Sequence, residues 1–354
     1  MTTTDAQSPP SSPVVDRRDI DRSLNHIREL VASPHHGLFG PQSMMWRVVK
    51  PIPVVPLMLM EAGLLEAPHP FIAFGTLDSQ SATDFVSRFH RSADAFYDWF
   101  CGDLDTALLT ARRIFGYHSK ISGTLPEDIG GYHRGQPYEA NEQDLLIWVW
   151  ATIIRPLKEY YEIFEGRLTQ AEIGRYYDEC RRFALLFGID EARLPAEWSS
   201  FVAYFDRVVG SEVMEVSPEY LQRSTVLSGN ITGPLKDRLA IGWVLSLNAY
   251  RLPSHVREQY PNLPTGRRHR VLAAVTFGIL RLVWPRLPRD LRESPRCRAA
   301  WRRVGADGSP SRLGTWVATK FSPPYSCSYR DAGVSSHGNP TRSVLADPDH
   351  TATM

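Results

Sequence analysis

Cysteine is scarce in this 354-residue chain: four copies, Cys101, Cys180, Cys297 and Cys327, none of them in a Cys-x-x-Cys pair. That spacing excludes a zinc ribbon or finger, offers no disulfide framework and suits a reducing cytoplasm. A surplus of one charge is also lacking. Lysine and arginine total 40 against 39 acids, a net +1, so bulk electrostatics point to no polyanionic partner, and no nucleic acid is expected. Apolar runs stay short. The longest, 51–67 and 271–284, are broken by three prolines and Glu61 and by Arg281, below the ~20 residues a spanning helix requires. Both read as buried or membrane-touching helices. The N-terminus, MTTTDAQSPPSSPVVDRRD, carries acids early and has no apolar core. It reads as neither a secretory nor a transit signal, and the expected location is the cytoplasm.

Several catalytic signatures are missing as well. No GxGxxG follows a strand, and there is no Walker loop, HExxH or GxSxG. This removes dinucleotide-binding, P-loop, zincin and α/β-hydrolase readings.

What is present is helical periodicity. Hydrophobic residues make up 43% and charged residues 22%, ordinary for a globular protein. Residues 1–16, rich in Thr, Ser and Pro, read as a disordered N-terminal segment. Residues 17–305 read as one large all-α domain with few or no strands, and 306–354 as a flexible tail. Within the domain, helices are expected at 17–32, 54–66, 84–100, 104–118, 142–166, 170–187, 196–210, 217–228, 234–250, 268–284 and 287–303. WRVV (46–49) reads as extended, 69–81 as a turn and connector, and the glycine-rich 123–137 as a loop with room for one hairpin. Asp103 or Asp105 should cap the helix leading to His118, and TQAE (169–172) is a capping box.

Two neighbouring helices carry the candidate chemistry. Arg88, Arg91 and Ser92 share one helix face, among Phe85, Phe89, Phe96 and Trp99. The arginines either pair with surface acids or serve a buried site. Leu104, Ala107, Ala111, Ile114 and His118 form a narrow apolar stripe. Its alanines admit either a neighbouring helix or a flat ligand. His118 is either a histidine settled against a helix C-terminus or an axial ligand for haem iron. His69 and His133 are weaker candidates. Residues 266–303 hold eleven arginines with only Asp290 and Glu293 as acids. That run either faces anionic groups or forms a solvated face.

Taken in order, FGPQSMMWRV, the His-Pro of 69–70, RFHRS, RRIFGYHSKISG, GQPYEANEQDLLIWVWAT, YEIFEGRLTQAEIGRYYDE and LPRDLRESPRCRAAWRR resemble a family. It is the haem-containing oxygenase family that includes the MpaB oxygenases of fungal meroterpenoid pathways and the bacterial latex-clearing proteins, or rubber oxygenases. The resemblance covers roughly residues 37–304. It implies a mainly α-helical fold of the MpaB/rubber oxygenase type holding one haem b, with His118 on the iron. It places Arg88, Arg91 and Ser92 on the opposite side as the catalytic set, with Arg88, Phe89 and Phe115 beside His118 in holding the cofactor. Serine at 92 replaces the usual threonine, and Arg91 is fixed in charge where a lysine would not be. Trp150 stands where many relatives have a histidine. It either removes an assisting group or enlarges an apolar wall that Phe89, Phe96 and Trp148 share. The implied activity is oxygenation of a lipophilic, isoprenoid- or polyketide-like substrate by dioxygen in secondary metabolism, with oxidative C=C cleavage as one outcome. The alternative is a helical binding protein of the same fold without haem or activity.

Overall fold

The computed structural model describes residues 12–79, 85–224, 226–228 and 235–306, together with 312, 313 and 316. Residues 1–11 and most of 307–354 lie outside this set, and with them most of the expected N-terminal and C-terminal disordered segments and Cys327.

Local chemistry starts many of the helices. Asp16 caps α1 (Arg17–Leu30), accepting from Arg18 N at 2.6 Å and Asp19 N at 2.8 Å, while Asp19 reaches back to Asp16 N at 3.2 Å. This capping box satisfies donors that a helix N-terminus otherwise leaves open. There follow α2 (Met44–Val49), α3 (Val54–Glu66), α4 (Pro70–Asp78), α5 (Phe85–Cys101) and α6 (Leu104–His118). Asp103 caps α6 through Thr106 N at 2.8 Å. A two-stranded antiparallel hairpin, β1 (Ser122–Thr124) with β2 (Pro137–Glu139), occupies the glycine-rich loop. The second half comprises α7 (Gln143–Glu165), α8 (Gln170–Ala184), α9 (Trp198–Val209), α10 (Pro218–Arg223) and α11 (Leu235–Arg251). It ends with α12 (Ser254–Glu258), α13 (Arg267–Val283), α14 (Arg289–Arg292) and α15 (Pro295–Arg303). The fold is mainly α, as the periodicity implies.

Several segments depart from the sequence reading, among them the 217–228 helix, which ends at Arg223, and the unexpected α12. Residues 44–49 are helical rather than extended. Besides Ser43, the carboxylate of Glu179 on α8 accepts from Met44 N at 2.9 Å and Met45 N at 2.6 Å, a cap supplied by tertiary structure. The 69–81 connector contains α4, with Pro70 at the first helical position, where its fixed φ is favourable and its missing N–H costs nothing. The expected helix over 287–303 divides at Ser294-Pro295, because a residue before proline is driven out of the helical region. Residues 12–16, assigned to the disordered N-terminus, are ordered. Pro13 O and Ser12 Oγ accept from Gln143 N at 2.8 Å and Asp144 N at 3.0 Å, and Val15 N donates to Asn141 O at 2.9 Å. The segment thereby satisfies the open donors at the start of α7.

α3 and α7 pack together at the centre. Every residue of α3 is buried except Pro56, Leu59, Gly63 and Glu66. Those four recur at i, i+3, i+7 and i+10, so the accessible part of the helix is one narrow stripe that ends at a carboxyl. α5 and α6 form an antiparallel pair joined at Gly102-Asp103. The turn is held by a close approach of the 37–40 loop: a Cβ on Gly37, whose φ is +78°, would lie 2.1 Å from Gly102 O. Gly37→Ala is therefore expected to cost roughly 2–4 kcal/mol, read as a lower urea midpoint with an unchanged slope.

Candidate active site

The α5–α6 pair decides where the candidate residues meet. Arg88 lies 14 residues before Gly102, and His118 lies 15 after Asp103. At 1.5 Å per residue both stand roughly 20 Å from the turn, at the same open end of the pair. Arg88 and Ser92 continue a stripe through Ala95 and Trp99, both buried, so this face of α5 turns inward. Arg91 and Ser92 are half-buried, and Phe89 packs against the main core.

His118 ends α6. Ser119 Oγ donates to Phe115 O at 2.8 Å and accepts from the buried Asn141 Nδ2 at 3.0 Å, which anchors the last turn. The imidazole adjoins a small hollow lined by Ala111, Ile114, Phe115, Leu146, Leu186 and Phe187. A Cβ on Gly116, in the same turn, would meet nothing within 4 Å. Burial among these apolar side chains pulls the pKa of His118 down to about 4, so the ring is neutral at physiological pH. No described residue hydrogen-bonds either ring nitrogen. No group of three or more His, Cys, Asp or Glu able to hold a metal occurs among the described residues. A lone neutral imidazole holds a metal when the metal brings its other ligands with it, as haem iron does. A single neutral imidazole is a donor that a haem could use.

His69 is the second buried imidazole. It precedes α4, packs beside Phe71 and Tyr132, and leaves Nδ1 without a partner among the described residues. Burial lowers its pKa to about 4 as well. His133 is exposed, with Asp128 3.9 Å away.

The structure adds residues that the sequence reading passed over. Glu66, at the end of the α3 stripe, lies within electrostatic reach of Arg88, and both act on the Tyr220 hydroxyl. Burial raises the pKa of Glu66 to about 7. Its Oε1 is 2.8 Å from Thr152 Oγ1, which is also 2.7 Å from Val149 O. A hydroxyl has one hydrogen. Thr152 serves one acceptor or the other; donated to Glu66, its hydrogen favours the carboxylate, and burial outweighs that effect in raising the pKa. The sequence did hold a signal, namely two acids in the apolar run MEAGLLEA. Glu61 is neutralised by Arg251 at 3.0 Å, whereas Glu66 is left with the titratable role.

The aromatics expected to shape a channel are core. Trp150 is fully buried, donates Nε1–H to Cys180 O at 2.8 Å and packs on Tyr177 and Phe201. Trp148 packs on Phe205, and Phe96 on Trp99, Phe100 and Phe183. Trp150 therefore points into the α8–α9 packing and is no substitute for an assisting histidine. A larger hollow, about 200 Å³, lies among Glu159, Glu162, Arg167, Arg251 and Arg281. Arg251 there already pairs with Glu61 and Glu159, a structural network.

Compared with known proteins, no curated protein and no solved structure matches this chain. A family model does match, over residues 46–282, from within α2 to the end of α13, and so takes in Glu66, Arg88, His118 and Thr152. That span is well over half of the chain, and its description is "ER-bound oxygenase mpaB/B'/Rubber oxygenase, catalytic domain". The chain belongs to the mpaB/rubber oxygenase catalytic-domain family.

Proposed function

We propose that this protein is a haem b-dependent oxygenase of a lipophilic, alkene-bearing substrate, with His118 as the residue that would hold the haem iron. The observation that carries the reading is the neutral, unpartnered imidazole of His118 at the same end of the α5–α6 pair as Arg88 and the half-buried Glu66. His118, Phe115, Phe89 and Arg88 would hold the cofactor, which when bound supplies the chemistry of dioxygen. Arg88 and Arg91 contribute positive charge where negative charge develops on oxygen, and their placement in advance is what makes such groups effective. Glu66, titrating near neutrality, takes a proton at Oε1 and returns it, with the Thr152 hydroxyl holding the carboxyl in place. Ser92 would offer a hydroxyl beside them. The accessible stripe of Pro56, Leu59 and Gly63 gives a mainly apolar approach to Glu66, which suits an isoprenoid- or polyketide-like chain and a role in secondary metabolism. Oxidative cleavage of a C=C bond is the reaction proposed.

The test is the absorption spectrum of protein expressed with a haem precursor, followed by dioxygen uptake with isoprenoid alkenes. A Soret band and alkene-dependent uptake are expected. Colourless protein after haem reconstitution would leave the non-catalytic binder as the better reading.

A further inference from the structure

Helix α13 buries only Ala273 and Phe277 fully. The opposite side carries Val271, Val275, Ile279 and Leu282, which are 55, 52, 56 and 64% exposed. Their spacing of i, i+4, i+8 and i+11 makes one continuous stripe. On an ordinary surface helix that face would be polar. α11, packed against α13, exposes Leu235, Leu239 and Trp243 at i, i+4 and i+8. Two adjoining helices thus each turn an apolar stripe outward, more than scattered surface residues account for.

The charges of α13 itself have one sign. Between Glu258 and Asp290 the chain has six arginines and no acid. Arg267, Arg268 and Arg270 are exposed at the start of α13, and Arg281 and Arg286 at its far end. None of these five forms an ion pair with a described residue. By contrast, Arg296 pairs with Asp94 and Arg298 with Asp290, while Arg303 donates to His35 O and Cys101 O. The last part of the arginine run holds α15 in place, and the first part is left facing outward. Arginines in a first helical turn are also opposed by the positive end of the helix dipole, and an external anion relieves both. A second copy of the chain fits poorly. A two-fold pairing of α13 on itself would bring arginine against arginine with no acid on that helix between them. No helix among the described residues is long and apolar enough to cross a membrane, so contact has to be lateral.

We propose that the α11–α13 face docks the protein on an anionic membrane, with α13 lying in the interfacial plane. The Val271–Leu282 stripe enters the boundary of the acyl chains, Trp243 sits at headgroup level, and the arginines meet lipid phosphates. The inference does not depend on haem or on the oxygenase reading.

The experiment is co-sedimentation of the full chain with vesicles of phosphatidylcholine alone or with about 30% phosphatidylglycerol, in low and high salt. Binding to the anionic vesicles is expected, at least tenfold stronger than to neutral ones and weakened by salt. Val275→Asp/Ile279→Asp, at two exposed positions, should reduce binding at least tenfold with an unchanged circular dichroism spectrum. Replacing Arg267, Arg268 and Arg270 by serine should abolish the preference for anionic lipid. Wild-type protein remaining in the supernatant with both vesicle types would overturn the proposal. So would equal binding by the Val275→Asp/Ile279→Asp variant. A dimer in light scattering that this variant dissociates, without vesicle binding, would assign the face to a second copy instead.

Discussion

His118→Ala is expected to remove the Soret band while leaving the fold intact. The two halves of this result have separate causes. In the proposed site the imidazole would be the nitrogen ligand at the open end of the α5–α6 pair, and burial holds it unprotonated down to about pH 4. Removing it would delete the metal–nitrogen bond through which the proposed haem is retained. The structure loses little, because no described residue hydrogen-bonds the ring and the helix end is anchored by Ser119 and Asn141. The apoprotein variant should therefore melt within a few degrees of the wild-type apoprotein. Free imidazole, small enough to enter the vacated space, should partly restore the band. A wild-type spectrum in His118→Ala would transfer the ligand to another residue, with His69 next in line.

Glu66→Gln should lower turnover by roughly 10²–10⁴-fold while making the protein more stable at alkaline pH. The amide keeps the shape and cannot exchange a proton, so haem content should be unchanged. Stability moves the other way by linkage. The folded pKa of Glu66, about 7, lies above its ordinary value of 4.5. Below pH 4.5 the carboxyl is protonated in both states and carries no penalty. As pH rises through 7 the unfolded chain has already released the proton and the folded chain is forced to follow, which costs up to about 3 kcal/mol. Glu66→Gln escapes this loss, so its advantage over wild type should open between pH 4.5 and 7 and stay constant above. The histidines act in the opposite window. His69 and His118 have folded pKa values near 4 against 6.5, so their contribution is complete above pH 6.5 and is lost as pH falls toward 4. Denaturation midpoints of both proteins between pH 4 and 9 check the two limbs. Equal midpoints above pH 7, or unchanged turnover, would remove Glu66 from the proton-handling role.

Much of the architecture was legible because it depends on neighbours in sequence. Helix starts at Asp103 and Thr169 rest on a side chain bonding an amide three residues on, and such rules need no tertiary partner. α2 was misread because two of its amides are capped by Glu179, some 135 residues away. α4 was misread because the His-Pro pair that looks like a breaker is a helix start when the apolar residues after it find a core. Of the site, His118, Arg88 and Ser92 stood out by spacing and by family resemblance. Glu66 did not, since an acid in an apolar run looks like an interruption until its surroundings are known. Trp150, which the sequence left as either a lost assisting group or part of an apolar wall, packs on Tyr177 and Phe201, neighbours that only tertiary structure supplies.

The sequence by itself determined the class of fold, the family, the α5–α6 pair with its capped turn, and the residue types available for catalysis. These follow from periodicity, capping and residue order. Tertiary structure alone decided that Glu66 titrates near neutrality beside Arg88, that Glu61 is neutralised by Arg251, and which arginines are engaged and which face outward. A pKa or an unpaired charge depends on desolvation and on partners brought from distant segments, and neither quantity is carried by any local stretch of chain.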